Sequence, residues 1–158
     1  MKTPLLVIPL LLLAACGELV HPDTYQGNRT IGPGGGVIDL DRLRVGVSRD
    51  ILSRDLTFRL EEVDDGDLPA GPLGPAYRLL PAEIPGSLAV AGLRVTYRIG
   101  LDELPAEVYF VELSVARLVG DDWVPLDAPS WDPLAGEVTG YSPATGVFSV
   151  VHLAPDAP

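Results

Sequence analysis

The stretch Leu93-Arg94-Val95-Thr96-Tyr97-Arg98-Ile99 decides the fold class of this chain. Its apolar side chains stand at every second position, and the side chains between them are polar or charged. A period of two is typical of an antiparallel strand that buries one face and exposes the other. We therefore predict a strand with Leu93, Val95, Tyr97 and Ile99 directed into a core.

Shorter runs on both sides of this stretch follow the same pattern. Leu56, Phe58 and Leu60 alternate with polar residues, and Trp123–Leu126 follows the turn Gly120-Asp121-Asp122 as a hairpin partner. The longer run 108–119 breaks its alternation near residue 116, which predicts a bulge. With 17 Gly and 16 Pro between short apolar runs and no helical period, the sequence predicts an all-β, antiparallel β-sandwich of eight or nine strands over residues 35–153.

The N-terminus has the features of an export signal. A short basic start, Met1-Lys2-Thr3, precedes the apolar run 4–15, which is too short to span a bilayer. The run ends in Leu13, Ala14, Ala15 and Cys16, which resembles the bacterial lipobox. The resemblance implies a signal peptide over 1–15 and a lipidated Cys16. The alternative is an ordinary secretory signal, which would leave Cys16 as a free thiol.

The segments around the predicted sandwich follow from this interpretation. Residues 16–34 lack an apolar period and contain Gly32-Pro33-Gly34-Gly35-Gly36 at their end, so we predict a lipidated cysteine followed by a flexible tether. Residues 154–158 form a short tail. In enteric bacteria an Asp after the lipidated cysteine favours the inner membrane. Gly17 at this position favours the outer membrane, with the domain facing the periplasm or the cell exterior.

The net charge of −11 restricts the classes of partner. An acidic chain repels phosphate backbones, so nucleic-acid binding is not expected. The partners that remain are the membrane, through the lipid anchor, and an unidentified envelope protein or polymer. The single cysteine excludes a disulfide within the chain, and no cofactor is expected.

The order of turns and strands resembles that of the ZU5 family of β-sandwich domains over residues 31–152. The resemblance is carried by the glycine pair before Val37-Ile38, Gly74-Pro75 before a strand, the hairpin at Trp123, and the closing strand 146–151. Where the family's corner usually has Pro-x-Gly-Ala, this chain has Ser48-Arg49-Asp50-Ile51.

Some members of this family cut their own chain at a His-Phe-Ser motif. Two alignments are possible here, Gly140-Tyr141-Ser142 and Ala144-Thr145-Gly146, and both lack the histidine that would act as the base. Of the two histidines in the chain, His21 falls in the tether and His152 at the end of the last strand. We therefore predict that the protein is not an enzyme. The alternative is a Ser-His-Asp triad that uses His152.

Two further features suggest binding. Asp64, Asp65 and Asp67 concentrate carboxylates in one turn, which could offer oxygen ligands to Ca²⁺, although the spacing does not match an EF-hand loop. A solvated turn is the simpler interpretation, so no metal is expected. Trp131, in a Pro-rich segment that we interpret as a loop, could serve as a platform for a saccharide or pack into the core.

The sequence therefore leaves two functional hypotheses. The first is a lipid-anchored, non-catalytic interaction or structural module at the cell envelope. The alternative is an envelope protein that binds a small ligand, a saccharide or calcium through the acidic turn or Trp131.

Overall fold

The computed structural model of the protein describes residues 27–82 and 92–153. Short 3-10 turns lie at Asp65–Asp67, Leu101–Glu103 and Phe110–Glu112, and the regular structure is otherwise all strand. No helix within these ranges is long and apolar enough to cross a membrane. The strands are β1 (Asn28–Ile31), β2 (Gly36–Leu40), β3 (Leu43–Val47), β4 (Leu56–Val63), β5 (Ala76–Leu80), β6 (Leu93–Arg98), β7 (Leu113–Val119), β8 (Asp122–Pro125), β9 (Asp127–Asp132), β10 (Glu137–Ser142) and β11 (Gly146–His152).

These strands form two antiparallel sheets. One has six strands in the order β1-β4-β5-β11-β7-β8, and the other has five in the order β2-β3-β6-β10-β9. The two sheets enclose one core, to which both contribute buried apolar side chains. The all-β, antiparallel sandwich predicted from the sequence is therefore confirmed.

The decisive stretch lies at the centre of the five-stranded sheet. β6 pairs with β3 on one side and with β10 on the other. Leu93, Val95, Tyr97 and Ile99 are all buried, as their alternation predicts, while Arg94 and Arg98 are exposed. The six-stranded sheet supplies the opposing layer of the core, which includes Phe58, Leu60, Tyr77, Leu79, Leu113, Val115, Phe148 and Val150.

Three details of the sequence prediction are wrong. The described residues contain eleven strands and not eight or nine, because two strands, β1 and β9, were not predicted. β1 falls in the predicted tether and pairs with β4. Trp131 lies in a strand, β9, and not in a loop. The run 108–119 contains no bulge near residue 116, since pairing with β11 and β8 is regular there. Its alternation breaks because Phe110–Glu112 is a 3-10 turn and β7 begins only at Leu113.

The N-terminal predictions fall on residues that the structure does not describe. The signal peptide over 1–15, Leu13, Ala14, Ala15 and Cys16 of the lipobox, most of the tether and the tail over 154–158 all lie outside the described residues. The first described residue, Gly27, accepts a hydrogen bond from the amide of Leu60 through its carbonyl oxygen. The chain is thus already attached to the six-stranded sheet at residue 27.

Candidate functional site

Trp131 joins the two sheets at one side of the sandwich. It lies opposite Val138 in the edge strand β9, and its indole Nε1 donates to the carbonyl oxygen of Leu113 in β7 at 2.8 Å. The side chain is 37% exposed. Its polar atom is therefore occupied by a structural contact, and part of its surface remains accessible to solvent.

The acidic turn is capped by one of its own carboxylates, that of Asp64. The Oδ1 atom of Asp64 accepts from the amide of Gly66 at 3.1 Å and so caps the 3-10 turn Asp65–Asp67. No group of three or more His, Cys, Asp or Glu side chains converges within residues 27–82 and 92–153. Asp64, Asp65 and Asp67 thus have no geometry that favours the calcium alternative, and no hydrogen bond among the described residues joins them to Trp131.

The hydroxyl of Ser142, which stands in the first of the two self-cleavage alignments, and that of Ser149 are engaged in structural hydrogen bonds. Ser142 is buried and its Oγ donates to the carbonyl oxygen of Ala144 at 2.6 Å. Ser149 is also buried and its Oγ reaches the carbonyl oxygens of Gly74 and Pro75 at 2.9 and 3.1 Å. His152 lies at the end of β11, as predicted, where its Nε2 is 3.3 Å from Glu112 Oε2. The structure therefore brings neither serine into a hydrogen bond with this histidine.

A pair of buried tyrosines links the two sheets at one end of the sandwich. Tyr77 in β5 donates its hydroxyl to Asp41, in the turn between β2 and β3, at 2.7 Å. Tyr97 in β6 donates in the opposite direction, to the carbonyl oxygen of Pro75, at 2.9 Å. The two rings lie with their centroids 6.2 Å apart. Each ring fills the core while its hydroxyl satisfies a polar group of the other sheet or its loops.

An ion pair extends this connection at the surface. Arg42 follows Asp41 in the turn, and its Nη2 donates to Glu103 at 2.8 Å, while a second guanidinium nitrogen contacts the other carboxylate oxygen. The hydrogen bond from Arg42 lowers the pKa of Glu103 below its usual range. This two-point contact orients the 3-10 turn Leu101–Glu103 against the five-stranded sheet.

The buried tyrosines predict a loss of stability in alkaline solution. Burial raises the pKa of both Tyr77 and Tyr97, because the phenolate is disfavoured away from water. Their contribution to stability is therefore complete below the unfolded pKa of about 10 and is lost as the pH rises towards the folded values. We expect the free energy of unfolding, measured in urea, to fall by up to about 1.4 kcal/mol per tyrosine for each pH unit above about 10.

Two variants separate this effect from general alkaline denaturation. Tyr77→Phe is expected to flatten the decline in stability above about pH 10, because the unfolded chain then has one phenol fewer to ionise. Tyr109→Phe is the matched control, since Tyr109 is 70% exposed. A decline of the same steepness in the wild type and in Tyr77→Phe would contradict the assignment.

A cleft lies between the edges of the two sheets. It has a volume of about 330 Å³ and is lined by Asn28 and Arg29 of β1 and by Val37, Ile38 and Asp39 of β2. Arg29 reaches across it, and its Nη1 donates to the carbonyl oxygen of Val37 at 2.5 Å. We call this feature the β1–β2 cleft. No pattern in the sequence indicates this cleft, because Arg29 falls in the predicted tether.

The fold and these contacts define the chain as an antiparallel β-sandwich in which the hydroxyls of Tyr77, Tyr97, Ser142 and Ser149 bond within the fold. No protein-family model matches the sequence, and a search of curated proteins finds no significant relative. The resemblance to the ZU5 family therefore stays a prediction. The β1–β2 cleft is the candidate site, since it combines a cation, an amide side chain and the edge of a sheet.

Proposed function

We propose that this protein is a lipid-anchored lipoprotein of the cell envelope whose β-sandwich is a non-catalytic interaction module. The observation that carries the proposal is the sequence Leu13-Ala14-Ala15-Cys16 after a short apolar run. Acyl chains on Cys16 would hold the domain at a membrane, since each buried methylene contributes about 0.8 kcal/mol. Gly17 favours the outer membrane, with the domain on the periplasmic or the external side.

The contacts of the described residues support a binding role over a catalytic one. The hydroxyls of Ser142 and Ser149 are directed at carbonyl oxygens, and activation of a serine requires a base within hydrogen-bond reach. The indole nitrogen of Trp131 and the carboxylate of Asp64 are likewise engaged within the fold. The β1–β2 cleft differs in its position, because it places the guanidinium of Arg29 at a sheet edge, beside the carbonyl oxygen of Val37.

The anchor is tested by replacing its attachment point. In a bacterial host, Cys16→Ser is expected to abolish incorporation of labelled fatty acid and to leave the precursor uncleaved. The wild type should be found in the membrane fraction as a shorter, acylated chain. Mass spectrometry of the purified protein measures both the acyl groups and the first residue of the mature chain.

Two substitutions at the next position serve as matched controls. Gly17→Ala should leave lipid labelling unchanged, while Gly17→Asp in an enteric host should move the protein from the outer to the inner membrane fraction. A mature wild-type chain that begins at another residue and carries an unmodified Cys16 would show that the signal is an ordinary secretory one.

A further inference from the structure

β2 has a free edge with hydrogen-bonding groups directed outwards. Within residues 27–82 and 92–153, it is the outermost strand of its sheet and pairs with β3 alone. The amide of Arg98 in β6 donates to the carbonyl oxygen of Arg42, which directly precedes β3. Hydrogen-bonded pairs recur at every second residue of an antiparallel ladder, so the even-numbered residues of β3 bond towards β6. The odd-numbered residues of β3 therefore bond towards β2, where their partners are the even-numbered residues. Because of this alternation, Val37 and Asp39 direct their N–H and C=O groups away from the sheet.

The contact of Arg29 agrees with an outward-facing carbonyl group at Val37. Its guanidinium approaches the outward-facing carbonyl oxygen of Val37 from β1, which belongs to the other sheet. It occupies the place that the amide of an added strand would take. The β1–β2 cleft lies beside it, and Val37 itself is 37% exposed.

The other edge strands within the described residues are less suited to accept a strand. β8 has four residues and ends at Pro125. β9 contains Pro129, and its pairing with β10 shifts by one residue next to Ala128, which has a φ of 47°. β1 has only four residues. Short strands, prolines and bulges at sheet edges hinder pairing with another chain, and β2 has none of them.

We propose that the free edge of β2 binds an extended peptide segment by strand addition, and that this segment places an aspartate or glutamate side chain against Arg29. The inference rests on the proposed interaction role and names the site and the chemistry of the partner. Side chains of an added strand alternate between the two faces, so every second one would enter the β1–β2 cleft. There it meets the amide of Asn28 and the guanidinium of Arg29, which favour a carboxylate. Asp39 also lines the cleft, but none of the ion pairs among the described residues involves Arg29, so its charge is left for an incoming carboxylate.

Binding would exchange one hydrogen bond for several. The carbonyl oxygen of Val37 would accept an amide of the peptide in place of Arg29, and the released guanidinium would pair with the incoming carboxylate. The net charge of the chain is −11, which repels a strongly acidic segment. We therefore expect the bound segment to carry one carboxylate within an otherwise uncharged, β-branched sequence.

The test uses two synthetic peptides with blocked termini, Thr-Val-Thr-Glu-Thr-Val-Thr and the same sequence with Lys in place of Glu. They are titrated into the full chain in detergent solution, and amide hydrogen exchange is followed by NMR. The glutamate peptide is expected to slow exchange at Val37 and Asp39. It is expected to bind about tenfold more tightly than the lysine peptide, the effect of one charge-assisted hydrogen bond.

Two variants distinguish main-chain pairing from the charge contact. Val37→Pro removes an outward N–H that the pairing with β3 does not use, so it should abolish binding of both peptides and leave the unfolding midpoint near that of the wild type. Arg29→Ala keeps the pairing of β2 with β3 and should remove the preference for glutamate, which tests the charge contact even if Val37→Pro unfolds the sheet. Arg59→Ala is the matched control, because it removes an exposed arginine from β4 and should leave the preference intact.

Three results would overturn the proposal. These are equal affinity of the wild type for both peptides, protection that maps to β8 or β9, and protection of Val37 and Asp39 without peptide in a concentration-dependent dimer. The last would mean that a second copy of the chain occupies the edge. The titration is repeated with Cys16→Ser, and equal binding is expected, so a failure of the lipid anchor and a failure of strand addition are distinguishable.

Discussion

Replacing Val95 with aspartate is expected to remove most of the stability of the domain, whereas replacing the adjacent Arg94 with aspartate is expected to change it little. Val95 is 0% exposed and lies between Val45 and Gly140 on the neighbouring strands. A carboxylate there would be buried without a partner and would cost several kcal/mol. A domain of this size has a total stability of only about 5 to 15 kcal/mol. Arg94 is exposed on the opposite face, where substitutions usually cost within about 0.5 kcal/mol.

The measurement is chemical denaturation followed by tryptophan fluorescence for the wild type and both variants. If Val95→Asp yields no folded protein, Val95→Ala gives a graded value, since truncating a buried aliphatic side chain costs about 2 kcal/mol. Equal destabilisation by Val95→Asp and Arg94→Asp would mean that β6 does not have one buried and one exposed face.

The contrast between these neighbours explains why β6 was predictable from sequence. A strand that buries one face must alternate its side chains, and Leu93, Val95, Tyr97 and Ile99 do so without interruption. The same reasoning fails at the edges of the sandwich. β1 begins with Asn28, Arg29 and Thr30, which are all exposed, and only its last residue, Ile31, is buried, so its sequence shows no alternation.

β9 was not predicted as a strand for a related reason. All six of its residues are exposed to some degree, and it contains Pro129. Its place in the sheet is given by pairing with β10, a contact between segments that the sequence pattern of β9 does not reveal. Strands of this kind are held mainly by backbone hydrogen bonds, which any residue except proline can donate.

The β1–β2 cleft could not be predicted from the sequence, because it is formed by two strands that belong to different sheets. Arg29 and Val37 are close because β1 and β2 are edge strands of different sheets on the same side of the sandwich. The sequence pattern around Arg29 predicts a flexible tether instead. The predicted binding residues were chosen by residue type alone: Asp64, Asp65, Asp67 and Trp131. In the structure, the hydrogen bonds of Asp64 and Trp131 are made within the fold.

Any side chain at Gly140 is expected to destabilise the domain, and this expectation bears directly on self-cleavage. Gly140 lies in the middle of β10, beside the register shift with β9. A Cβ atom at this position would lie 2.6 Å from the Cβ of Leu126. Leu126 is 6% exposed, and its amide donates to the carbonyl oxygen of Val115, so it is held between the two sheets. We expect Gly140→Ala to destabilise the domain by about 1 to 3 kcal/mol through overpacking.

A double-mutant cycle with Leu126 tests this mechanism. Leu126→Ala keeps the Cβ atom, so Gly140→Ala should cost about as much in that background as in the wild type. Leu126→Gly removes the atom, and Gly140→Ala should then cost little, although Leu126→Gly alone is strongly destabilising. Equal costs in all three backgrounds would mean that the contact with Leu126 is not the cause.

Gly140 occupies the place of the missing histidine in one alignment with the self-cleaving motif. The variant Gly140→His would meet the same contact with Leu126. It is expected to disrupt β10 before any base could be positioned beside Ser142, whose hydroxyl is already bonded to Ala144.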